Sequence, residues 1–184
     1  EPYSVIYCAI PYLIEGLLEP SQLAKKDELI TGTGAELIKT AAVKVDFQEH
    51  LVTLKDQTQI QYENLIIATG ALPFIPPVPG KELKNIFTVK TAEDAARIKA
   101  AAEKAEKVVV IGAGAIGIEQ AQAMKALGKK VHLVDMAPHP LSTMVDEEFG
   151  GIIIKQILAA DISWHGSCMI QKFEGQEAVE KVYL

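Results

Sequence analysis

The chain has 184 residues, 49% of them hydrophobic and 23% charged, which suits one ordinary globular domain or two small ones. Its net charge of −6 and its single arginine, Arg97, argue against nucleic acid as a partner and leave almost no scope for bidentate phosphate clamps. The longest uninterrupted apolar run, Val108–Ile118, is 11 residues with three glycines, so no membrane span is expected, nor is a signal peptide. Two cysteines make no disulfide framework, and a reducing, cytoplasmic setting is the expectation.

The predicted elements begin with an apolar stretch, "YSVIYCAIPYLIEG", that holds Cys8. By composition alone Cys8 reads either as a small buried residue or as a reactive thiol. Leu13, Ile14, Leu17 and Leu18 recur at helical spacing, and Pro11 suits a first turn, so a helix is predicted over 11–25. Gly32 and Gly34 read as a turn rather than a phosphate loop, because Leu37 stands where a third glycine would be needed. Alternation across 41–62 predicts a small antiparallel meander. "NLIIATG" then reads as a strand buried on both faces and ending at Gly70. Pro73, Pro76, Pro77 and Pro79 follow, a density that excludes helix and central strand and places a domain boundary near Gly80.

Thr91 is a good N-cap with Asp94 three residues on, so a helix opens there. Val108–Ile111 is a predicted buried, central strand, 118–127 a helix stopped by Gly128, and Val131–Val134 a second strand ending at Asp135. A further helix over 145–159 and strands over 162–170 and 178–184 complete a β-α-β-α-β run followed by a meander, α/β in class.

Between the first of these strands and its helix lies Gly112-Ala113-Gly114-Ala115-Ile116-Gly117, which fits G-x-G-x-x-G. The motif alone is weak, but here it follows a strand, opens a helix, and precedes by 23 residues an acid, Asp135, at the end of the next strand. Gly112 permits a tight turn, Gly114 lets backbone approach a pyrophosphate, and Gly117 lets helix and strand pack closely. The helix N-terminus offers N–H groups to the phosphates. Asp135 can accept hydrogen bonds from ribose hydroxyls and repels a 2′-phosphate, so NAD(H) is favoured over NADP(H), although His139 keeps the phosphorylated form in play. The four histidines do not form a metal-ligand spacing with the cysteines, and no metal site is expected.

Five stretches in order, "CAIPYLIEG", "YENLIIATGALPFIPPVPG", "FTVKTAEDAARIK", "KVVVIGAGAIGIE" and "HLVDMAPHPLSTMVDEEF", resemble the pyridine nucleotide-disulfide oxidoreductases. The resemblance is to their single-cysteine branch of coenzyme A-disulfide reductases, NADH oxidases and NADH peroxidases. It implies a three-layer FAD/NAD(P)-binding (Rossmann-like) fold with a parallel sheet and antiparallel meanders: a partial flavin domain over 1–80, then an NAD domain over 81–184 lacking its last strand. It implies that electrons pass from NADH to FAD and then to Cys8, or to oxygen or peroxide, with coenzyme A disulfide as the acceptor nearest to the "CAIPY" stretch. The dithiol members carry a second cysteine five residues on, where this chain has Leu13. Ala68, Thr69 and Gly70 match the family's flavin-contacting segment; Gly112, Gly114, Ala115, Ile116, Gly117, Glu119 and Asp135 match its NAD site. Cys168 is expected to be a small apolar filler.

The family's first glycine motif, its later segments and its C-terminal dimerisation domain have no counterpart in these residues, so the chain is expected to be an excerpt of a longer, homodimeric enzyme. Residues 65–68 are a candidate to fill the vacant place beside Val108–Ile111. The alternatives are a non-catalytic NAD-binding module and a flavin reductase that feeds a protein carrier without a cysteine.

Overall fold

The computed structural model describes residues 4–184. Two compact units emerge: residues 25–72 form one, and residues 5–24 join residues 73–184 in the other.

The first unit carries the predicted meander. Ala42–Asp46, Leu51–Leu54 and Gln59–Gln61 pair antiparallel in sequence order. The Asp46 carboxylate ties the first turn by accepting from the N–H groups of Gln48 and Glu49, both at 3.1 Å, and Asp56 does the same for Thr58 at 3.0 Å. Gly32 and Gly34 lie in a turn, as expected, after the short helix Glu28–Thr31. The strand expected at "NLIIATG" does not form. Residues 65–72 are irregular, with Ile66 89% and Leu72 92% exposed. A strand apolar on both faces needs a layer against each, and this unit holds one small sheet.

The second unit has three layers. Lys107–Ile111, Lys130–Val134 and Ile162–His165 form a parallel sheet in that order. Its helical side buries Val131, Leu133 and Ile162 against the helices Ile10–Glu15, Ala92–Lys104, Ala115–Ala126 and Glu147–Ala159. Its other side buries Val134 with Ile170 and Phe173, the latter from an antiparallel hairpin of Lys172–Glu174 and Lys181–Tyr183.

Several expectations are corrected here. The helix predicted over 11–25 is Ile10–Glu15, stopped by Gly16 at φ 90°, whose N–H bonds back to the carbonyls of Tyr12 and Leu13. A separate short helix, Pro20–Leu23, opens with a Glu19–Gln22 capping box. The glycine-loop helix begins at Ala115 rather than 118, because half of the loop already has helical conformation. The strand expected over 162–170 ends at His165; Ser167 turns the chain at φ 56°, and Cys168 lies in the loop that follows. Val108–Ile111 is the edge strand, as the vacant place beside it implies, and it is not buried on both faces: Val108 and Val110 face the helices, while Val109 and Ile111 are exposed. A β-branched run reports strand propensity, not burial. Residues 65–68 are coil and form no strand of this sheet.

The helix Ala92–Lys104 has the predicted capping box. Thr91 Oγ1 accepts from the Asp94 N–H at 3.0 Å, and the Asp94 carboxylate accepts from the N–H groups of Thr91 and Lys90 at 2.9 and 3.0 Å and pairs with Arg97. Burial pushes the Asp94 carboxyl up, but the hydrogen bonds from Thr91, Arg97 and Lys90 outweigh it and hold the pKa below the usual carboxylate range. A depressed folded-state pKa contributes stability above the unfolded value and loses it as pH falls through the folded one. Asp94→Asn is therefore expected to cost about 1–2 kcal/mol near neutral pH and to flatten the loss of stability below about pH 4. Urea titrations followed by helical circular dichroism at pH 7 and pH 3.5 check this.

Candidate functional site

The glycine loop joins the edge strand Lys107–Ile111 to the helix Ala115–Ala126. Gly112 turns at φ 98°, a conformation that side chains rarely adopt, while its N–H still bonds to the Val134 carbonyl at 2.8 Å. A Cβ on Gly117 would lie 1.8 Å from the Gly112 carbonyl oxygen. Gly114 is different: its φ of −72° is ordinary, and a Cβ there would meet nothing within 4 Å. The structure thus needs glycine at 112 and 117 for itself, whereas at 114 it leaves room for something else.

That room faces a helix end without a cap. No side chain caps the helix at Gly114 and its first turn holds no acid, whereas Thr91 and Asp146 cap their helices and acids occupy both first turns. Uncapped N–H groups and the positive end of a 12-residue helix suit a pyrophosphate.

Asp135 is fastened to this loop. One carboxylate oxygen accepts from the Ala113 N–H at 2.5 Å and the other from the Ala137 N–H at 2.7 Å, and each keeps lone-pair capacity for a ribose hydroxyl. Leu141 also donates to the Ala113 carbonyl at 2.9 Å. Arg97, the only arginine, is held by Asp94. The empty space at Gly114, the uncapped helix and the tethered carboxylate fit the ADP half of a dinucleotide without a 2′-phosphate.

Cys8 lies in a 3-10 turn, Tyr7–Ala9, directly before Ile10–Glu15, and is a free, exposed thiol. It lines a cavity of about 340 Å³ together with Tyr7, Lys90, Ala115, Ile116 and Glu119. Tertiary structure has thus brought the thiol to the first turns of the glycine-loop helix. The helix that follows is only six residues long. Lys90 supplies a cation in the same cavity, its Nζ 4.7 Å above the Tyr7 ring. Sequence reading missed Lys90 and Tyr7: neither belongs to a motif, and Lys90 sits between a proline-rich stretch and a helix cap.

Cys168 is half-buried against the cluster of Val134, Ile170 and Phe173. Ala68, Thr69 and Gly70 belong to the other unit, as exposed coil with Gly70 at φ 73°.

The model of the pyridine nucleotide-disulphide oxidoreductase family matches residues 5–184. The chain belongs to that family. It is 35% identical over 192 aligned residues to an NADH oxidase of Methanocaldococcus jannaschii, covering 96% of this chain and 42% of the relative. It is 33% identical to an NAD(P)H coenzyme A polysulfide/persulfide reductase of Pyrococcus horikoshii, covering 95% of this chain and 40% of the relative. A ferredoxin reductase from Rhodopseudomonas palustris superposes with a TM-score of 0.87 at 25% identity, over 98% of this chain and 45% of that one. The chain thus spans less than half the length of these family members. No helix among its described residues is long and apolar enough to cross a membrane.

The two kinds of glycine predict different failures. Gly117→Ala should destabilise the fold by about 3 kcal/mol or more, since a backbone carbonyl must move. Gly114→Val should leave the thermal midpoint nearly unchanged and weaken NADH binding by about 100-fold, because its side chain fills the space kept for phosphate. Thermal denaturation and fluorescence titration with NADH separate the two.

Proposed function

We propose that this chain works within an NADH-dependent flavoprotein oxidoreductase of the coenzyme A-disulfide reductase or NADH oxidase type, in which Cys8 is the redox-active thiol. The observation that carries the proposal is the cavity shared by Cys8, Ala115, Ile116 and Glu119. A thiol far away in sequence lies against the helix that would hold the nucleotide. Relatives named as an NADH oxidase and a coenzyme A polysulfide/persulfide reductase support the same reading.

In this proposal Gly112, Gly114, Ala115, Ile116 and Gly117 hold the pyrophosphate of NAD(H), and Asp135 accepts from the ribose hydroxyls. Glu119 lies where a polar group would orient the nicotinamide end. Ala68, Thr69 and Gly70 contribute backbone to the FAD site, whose remaining walls come from outside these residues. FAD, when bound, supplies the two-electron relay between NADH and the thiol.

Cys8 then attacks a small disulfide as thiolate. One S–S bond breaks, a mixed disulfide with Cys8 forms, and the first thiolate leaves. Two electrons from NADH release the second thiol and restore Cys8, so that NADH, one proton and one disulfide give NAD⁺ and two thiols. With peroxide, Cys8 instead cycles through sulfenic acid. Lys90 offers positive charge beside the thiolate and an anionic acceptor. A homodimer is part of the proposal for the whole protein.

The ferredoxin reductase likeness favours a second reading, in which NADH reduces flavin for a protein carrier and Cys8 is idle. The third is a plain NAD-binding module. Cys8→Ser in the full-length protein separates them. The first reading expects coenzyme A disulfide-dependent NADH oxidation to fall by about 10³-fold while NADH reduction of ferricyanide persists. Disulfide reduction that survives the substitution rejects the thiol mechanism, and a full-length protein without flavin absorbance supports only the module.

A further inference from the structure

We propose that His132 and His165 form a two-histidine chelate for a divalent first-row transition-metal ion on the hairpin-side face of the parallel sheet. The two rings lie 33 residues apart in sequence, and their Nδ1 and Nε2 atoms approach to 3.0 Å, with ring centroids 5.3 Å apart. The sheet register creates the pair. Val134 is directly opposite His165, and His132 lies two residues before Val134, so both rings project from the same face. Four consecutive ladder positions pin the two strands there, which fixes the separation of the rings before any ion arrives.

The separation suits one shared ion. Two nitrogens bound at about 2.05 Å stand about 2.9 Å apart at a right angle and about 3.3 Å apart at a tetrahedral one. The observed 3.0 Å lies in that range, so both rings can take adjacent positions on one ion of the kind imidazole favours. Both rings are half-buried and both line the cavity of about 990 Å³ that surrounds the edge strand, so the remaining coordination positions open onto space for water or a small anion. No group of three or more His, Cys, Asp or Glu side chains able to hold a metal is present among the described residues, so protein supplies two ligands only.

Neutral imidazoles are the ligating form. The pair has one N–H between the facing nitrogens, and as the ion enters, that ring takes the tautomer with its proton on the far nitrogen, so both rings bind as neutral imidazoles. Lys107 is the cation that opposes binding, which sets the affinity below that of a three-ligand site.

Ni(II) alone is the probe, titrated calorimetrically into the 184-residue chain with its thiols alkylated. One equivalent is expected to bind. His132→Gln and His165→Gln should each weaken it about 100-fold through loss of the chelate, whereas His50→Gln, in the other unit, should not. In the unmodified sequence, paramagnetic Ni(II) should broaden the imidazole resonances of His132 and His165 and spare those of His50 and His139. This readout needs no variant to fold. Equal affinity in the wild type and His132→Gln, or broadening of all four rings alike, overturns the proposal. Loss of disulfide reductase activity elsewhere in the protein would leave it untouched.

Discussion

The second unit depends on one close approach. The helix Ala115–Ala126 leaves the sheet so near to the strand before it that the Gly112 carbonyl oxygen occupies the place of a Gly117 side chain. Only hydrogen on the Gly117 α-carbon permits that contact. Because the helix starts there, its uncapped end is presented above the tip of the sheet, and Ala113 comes within reach of Asp135. The carboxylate then accepts from Ala113 and Ala137 together, which ties the end of the second strand to the loop after the first. One steric allowance thereby sets both the phosphate cradle and the acid beside it.

The same helix brings the thiol in. Ile10–Glu15 packs against both Ala92–Lys104 and Ala115–Ala126, with Ile10 and Ile14 fully buried in the shared core. Cys8 precedes this anchored turn by two residues, so the burial of two isoleucines holds its thiol in a cavity with Ala115, Ile116 and Glu119. Hydrophobic packing, which has no chemical role of its own, is what converts two distant motifs into one site.

Much of this was legible locally. The capping box at Thr91 and Asp94, the meander, the stop at Gly128 and the strand–loop–helix unit at Gly112–Gly117 all rest on interactions within a few residues, and the structure has each of them. The errors share one origin. The apolar, β-branched content of "NLIIATG" and "VVVI" predicts buried strands, yet one is exposed coil and the other is a strand with Val109 and Ile111 exposed. Burial on two faces is a statement about neighbouring layers, and no window of seven residues contains that information. The open edge has a second mark: Gln120 lies beside it, 6% exposed, with its Nε2 unpartnered among the described residues.

The amino-acid sequence by itself determined the α/β class, the glycine loop with its acid, and the presence of one cysteine just ahead of a helix. These follow from backbone sterics at glycine, from capping and from hydrophobic periodicity, all of them local. Tertiary structure alone decided that Cys8 and Lys90 share a cavity with Ala115 and Glu119, that Asp135 is bound to the loop, and that His132 meets His165. Those contacts join residues 22 to more than 100 positions apart. They arise from strand register and from helices packed into one core, and both are properties of how elements are placed against one another.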